Sequence, residues 1–73
     1  MPRPTNTDER RAQILAGLQR VMADKGYERA SVTAIAKAAG LAPGLVHYHF
    51  AHKQAILVAL VERLVEGFRA RYQ

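Results

Sequence analysis

Apolar residues recur at three- and four-residue spacing along most of this chain, and the breaks in that recurrence divide it into four helical segments. The first segment carries Ile14, Leu15, Leu18, Val21 and Met22 on one face. Thr5 or Thr7 can cap it, Asp8 and Glu9 stand where the positive helix end favours carboxylates, Lys25 falls in the last turn, and Gly26 offers a left-handed stop. The spacing predicts a helix over about residues 8–25. Tyr27 to Ala30 form a link, and Ser31 is suited to cap a second helix with the apolar stripe Val32, Ile35, Ala36 and Ala39, ended by Gly40. Pro43 then suits the first turn of a third helix, where its missing N–H costs nothing, with Leu45, Val46 and Phe50 as apolar contacts. Ala51 and His52 make a brief connection. From Lys53 the longest pattern runs through Ile56, Leu57, Leu60, Val61, Leu64, Val65 and Phe68. No period-two alternation is sustained, so the expected class is all-α.

The stretch from Ser31 to Lys53 is the most informative. Two short helices that cross over a tight turn need little bulk where they approach. Ala36 supplies a small inner side chain, and Gly40 can take the positive φ that the turn requires. Leu41 plugs the corner, and Val46 faces back into the core from the second of the two helices, with Ile35, Ala39 and Phe50 completing the buried set. The remaining face of that helix carries Gly44, His47, Tyr48 and His49 where a purely stabilising surface would carry Lys, Glu and Gln. Gly44 lowers helix stability by about 1 kcal/mol relative to alanine. It makes sense where the backbone must approach a phosphate or a base edge. Two short helices of this kind, the second with a polar aromatic face, suit insertion into a DNA groove. An ordinary helical hairpin with an alanine–glycine corner is the plainer alternative.

Composition narrows the choice. Seventy-three residues allow one small domain. Such a domain buries only about 60% of its unfolded surface. The chain has no cysteine, which excludes disulfides and thiolate zinc sites. The formal net charge of +5 favours a polyanionic partner. No apolar run approaches the roughly 20 residues that cross a bilayer, and Met1 to Arg11 lack the apolar segment of a secretory signal. The expectation is a cytoplasmic protein without membrane association.

GLVHYHF followed by AHKQAILVAL, with SVTAIAKAAGLAP before it, resembles the N-terminal DNA-binding domain of the tetracycline-repressor (TetR) family of bacterial transcription regulators. The likeness covers roughly residues 8–65. It implies a three-helix, homeodomain-like helix-turn-helix head followed by a longer fourth helix. It also implies homodimeric binding to palindromic double-stranded operators and transcriptional regulation, most often repression. A small-molecule effector is implied only where a C-terminal domain exists to receive it. Carried over by position, Ser31 and Thr33 start the support helix as phosphate or base contacts, and Pro43, Gly44 and Leu45 lie where family members meet base edges. His47 stands at the usual tyrosine, Tyr48 and His49 match the second aromatic and the histidine, and Lys53 matches the lysine that opens helix four and holds a phosphate. Ala42 departs from the usual Ser or Thr cap. Pro43 and Leu45 replace residues that are often polar, which shifts base readout toward thymine methyl groups and close backbone approach.

Other chemistry finds little support. His47 and His49 diverge on a helix, and His49 and His52 have no carboxylate or cysteine beside them to complete a metal shell. No serine–histidine–carboxylate set or paired acids suggest an enzyme, and no cofactor is expected. Arg20, Arg29 and Lys37 read singly as solvated surface and together as an extension of the positive field; Tyr27 reads as a core or corner residue. Helix four is longer than a three-helix head can cover, so Leu64, Val65 and Phe68 are expected to be exposed for an interface. The expected division is a flexible arm over residues 1–7, the DNA-binding domain over 8–52, and helix four over 53–73 as a connector toward an effector and dimerisation domain. The competing expectation is a basic helical protein-interaction module without sequence-specific DNA binding.

Overall fold

The computed structural model describes residues 6–71. In chain order they form α1 (Asn6–Lys25), a 3₁₀ turn (Tyr27–Arg29), α2 (Val32–Ala39), α3 (Pro43–His49) and α4 (Lys53–Arg71). The described residues contain no strand, and the class is all-α.

α1 is the central helix and touches every other element. Its stripe of Ile14, Leu15, Leu18 and Val21 is buried as the three- and four-residue spacing predicts. Two details concern its ends. Among the described residues α1 is helical from Asn6, so Thr7 lies inside it and not at the cap position. Thr5, the alternative cap, and most of the expected arm lie outside the described residues. Gly26 has a positive φ of 81° but a ψ of 163°, which is an extended conformation and not a left-handed helical stop. The chain leaves α1 at Gly26 and enters the 3₁₀ turn directly, and this backbone region is open essentially to glycine alone.

α2 begins as its sequence demands. The Ser31 side chain accepts a hydrogen bond from the Ala34 N–H at 3.0 Å, satisfying one of the free donors of the first turn. At the other end Gly40 adopts φ 75°, ψ 28°, the left-handed conformation expected of it. The Gly40 N–H donates to Lys37 O at 3.1 Å and the Leu41 N–H to Ala36 O at 2.9 Å, which closes the helix and turns the chain toward α3. Pro43 occupies the first turn of α3, and Ala42 caps it with backbone alone.

The core joins Ile14, Leu15, Leu18 and Val21 to Ala30, Ile35, Ala36, Val46, Phe50, Ile56 and Leu60. Of the set expected to be buried around the turn, Ile35, Ala36, Val46 and Phe50 are buried, while Ala39 and Leu41 are half-buried at its margin. One contact was not anticipated from sequence. Gly17 faces α2 so closely that a Cβ there would lie 2.7 Å from Ile35 O and 3.0 Å from the Ala39 Cβ. The absence of a side chain on α1 is what lets the two helices meet.

α4 divides in two. Ile56 and Leu60 anchor its first half, and every residue from Val61 to Arg71 is exposed. At 1.5 Å per residue its 19 residues span about 28 Å, of which the head covers only the first half.

Candidate nucleic-acid interface

α3 has two unlike sides. Val46 is fully buried and Phe50, its C-cap, nearly so; the Phe50 N–H donates to Val46 O at 2.9 Å and ends the helix. These two residues lock the helix to the core. Pro43, Gly44, His47 and Tyr48 face outward, at the i and i+4 positions that share one side of a helix. Tyr48 is 80% exposed, which is unusual for a large aromatic ring in a helix that also contributes to a core. A Cβ added at Gly44 would meet nothing within 4 Å, so no internal packing calls for glycine there. Leu45 and His49 are half-buried at the edges of the outward side, and the His49 ring meets Tyr48 edge-on with centroids 5.0 Å apart.

The support helix presents Ser31 and Thr33, both exposed, at its start. The Ser31 oxygen is engaged as the α2 cap, but its O–H remains free to donate outward. Lys37 lies one turn beyond Thr33 on the same exposed side.

Lys53 is placed differently from a free phosphate anchor. Lys53 is half-buried, and its Nζ donates to Tyr27 O at 2.9 Å and Glu28 O at 3.3 Å and lies 4.3 Å from the centroid of the Tyr27 ring. Two of the three ammonium donors therefore hold the start of α4 against the 3₁₀ turn, leaving one for a partner outside. Tyr27 is half-buried against the core, as its expected corner role requires, and its hydroxyl is buried without a hydrogen-bond partner. The lysine–tyrosine contact spans 26 residues of sequence, and no local pattern announces it.

Three other side chains take roles that the sequence reading did not assign to them, Arg20 among them, which was read as solvated surface. The His52 Nδ1 accepts from the Ala55 N–H at 3.2 Å and caps α4, a role more often filled by Ser, Thr, Asp or Asn. Arg20 donates to Ala38 O at 3.1 Å and closes the end of α2 from α1. Arg11 lies with its guanidinium carbon 4.4 Å from the centroid of the Phe50 ring. The side of α2 toward α1 opens into a groove lined by Arg20, Asp24, Lys25 and Lys37, to which α3 contributes nothing. Among the described residues no three of His, Cys, Asp or Glu gather as a metal site, and no helix is long and apolar enough to cross a membrane.

A short helix locked by Val46 and Phe50, set by a glycine turn against a support helix and presenting an otherwise idle polar face, defines the helix-turn-helix class. Comparison with known proteins carries this to a family. A family model described as bacterial regulatory proteins, tetR family, matches residues 14–60, and the chain belongs to that family. It is 38% identical over 61 residues to the HTH-type transcriptional repressor Rv1474c of Mycobacterium tuberculosis, covering 84% of this chain and 33% of that protein. It is 36% identical over 60 residues to the HTH-type transcriptional activator FasR of Mycolicibacterium smegmatis, covering 82% of this chain and 27% of that protein. The crystal structure of a TetR-family transcriptional regulator from Haemophilus influenzae matches with a TM-score of 0.79 at 30% identity, over 84% of this chain and 34% of that one. The chain thus spans about one third of the length of the curated relatives it matches.

Proposed function

We propose that this chain is the DNA-reading head of a cytoplasmic transcriptional regulator, and that α3 enters the major groove of double-stranded DNA. The observation that carries this is the outward side of α3. Pro43, Gly44, His47 and Tyr48 do nothing for the core, while Val46 and Phe50 fix the helix that bears them. Pro43, Gly44, Leu45 and His47 read base edges through apolar contact and backbone approach at Gly44. Ser31, Thr33, Tyr48, His49 and the remaining donor of Lys53 hold phosphates and set the register. The relatives include both a repressor and an activator, so the sign of regulation belongs to each protein's context.

The same proposal extends to assembly. Two heads would address the half-sites of a palindromic operator about one helical turn, roughly 34–36 Å, apart. α4, with Val61, Leu64, Val65 and Phe68 exposed along its far half, serves as the connector toward the part of the protein that dimerises and receives an effector. Effector binding there would change the separation of the heads and release the DNA.

Selection of bound duplexes from a random pool, followed by binding at two salt concentrations, tests the proposal. Binding should weaken steeply with salt yet keep its preference for the selected duplex. Exchange of Leu45 should alter which duplex is preferred. Salt-dependent binding with no retained preference would favour a basic interaction module and overturn the regulator assignment.

A further inference from the structure

We infer that Arg11, on the first helix and outside the helix-turn-helix stretch, is a DNA phosphate contact whose guanidinium is held in place by the Phe50 ring. The inference rests on the proposal that α3 enters DNA.

The cations of α1 fall into distinct groups. Arg10 donates to Gln13 at 2.7 Å, and Arg20 is bound to Ala38 O. Arg11 is half-buried and stacked at 4.4 Å over Phe50, yet among the described residues it donates no hydrogen bond and meets no carboxylate. Its guanidinium rests against an aromatic face, and no described residue takes its N–H donors. A surface arginine without a phosphate role has little reason to combine the two. A guanidinium is planar, keeps its charge at any relevant pH and is less strongly hydrated than an ammonium, so stacking on a ring orients it at small cost and leaves its edge to bond an anion. Phosphate oxygens match that edge in pairs.

Its location suits this task. Phe50 closes α3, and the exposed Ala51–His52 turn leads straight into the first turn of α4, whose N-terminal end carries partial positive charge. Arg11 therefore stands at the C-terminal end of α3, beside the start of α4, while Ser31 and Thr33 stand on the support helix that precedes α3. With α3 in the groove, these positions address the backbones that border it. The same stacking gives Phe50 a second role: it both packs the core and aims the cation.

The test compares wild type with R11Q and R11K on the selected duplex and on a random one, over a range of salt. Loss of one phosphate contact should lower the magnitude of the slope of log affinity against log salt by about 0.9 and weaken binding to both duplexes alike. We expect R11Q to bind five- to tenfold more weakly near 0.1 M salt with that reduced slope, and R11K to recover the slope. In wild type, the Arg11 Nε–H resonance should move when duplex is added, a readout that needs no variant to fold. An unchanged slope in R11Q, or an unmoved Arg11 resonance on binding, would overturn the contact and leave Arg11 as a cover for Phe50, with the proposed function standing. No salt-dependent binding by wild type would overturn both.

Discussion

Gly17 lies where α1 meets α2, and Gly44 lies on the outward side of α3. Each sits inside a helix, and each lowers helix stability relative to alanine by up to about 1 kcal/mol. Their surroundings are opposite. A Cβ at Gly17 would press on the Ile35 carbonyl at 2.7 Å and on Ala39, whereas a Cβ at Gly44 would meet nothing within 4 Å. Gly17 is accounted for by contacts within the chain. Gly44 has no such account, and neither do its exposed neighbours His47 and Tyr48. The first region is shaped by what it packs against; the second fits the DNA partner proposed for it. The contrast separates the residues that build the head from those that would use it.

Substitutions at these positions test the difference between the two regions. The largest effect is expected from Gly17→Ala, because backbone must yield to admit the methyl group: about 2–3 kcal/mol of stability, measured by urea unfolding. A loss no greater than a few tenths would mean that α1 and α2 part easily, and the tight junction would lose its significance. Lys53→Met comes next. It removes the bonds to Tyr27 O and Glu28 O and should cost about 1–2 kcal/mol, with a lower melting temperature before any DNA is added. Should stability hold while affinity falls for every duplex, Lys53 belongs with the residues that serve the partner. Ser31→Ala removes the α2 cap and should cost about 1 kcal/mol.

The smallest change in stability carries the most information. Gly44→Ala should stabilise the free chain by about 0.5–1 kcal/mol, since the site is helical and open. The same substitution should weaken binding to the selected duplex in a gel-shift assay. A variant that is more stable and binds DNA unimpaired would remove the main reason for assigning close backbone approach to this position.

Much of the head was legible in the residues. Helix spacing, the Ser31 cap, Gly40 in the left-handed conformation, Pro43 at the start of α3 and the burial of Ile35, Ala36, Val46 and Phe50 all follow from local pattern. So does the exposure of the far half of α4, which needed only a comparison of its length with the size of the head. The contacts that could not be read join residues far apart in the chain. Gly17 to Ile35, Lys53 to Tyr27 and Arg11 to Phe50 depend on how whole helices are laid against each other. Gly26 shows the same limit at one residue: its need for positive φ was legible, but the ψ value depends on where the next segment must go.

The sequence alone determined which residues are helical, where each helix stops and which stripe turns inward, because propensity, capping and apolar spacing act within a few residues. The family match over residues 14–60 draws on that same local information. How near α1 comes to α2, the inward turn of two of the Lys53 donors and the placement of Arg11 over Phe50 are set by the tertiary arrangement. Those outcomes depend on distances between helices. A long cationic side chain has no preferred partner in sequence; its role follows from what the folded chain brings within its reach.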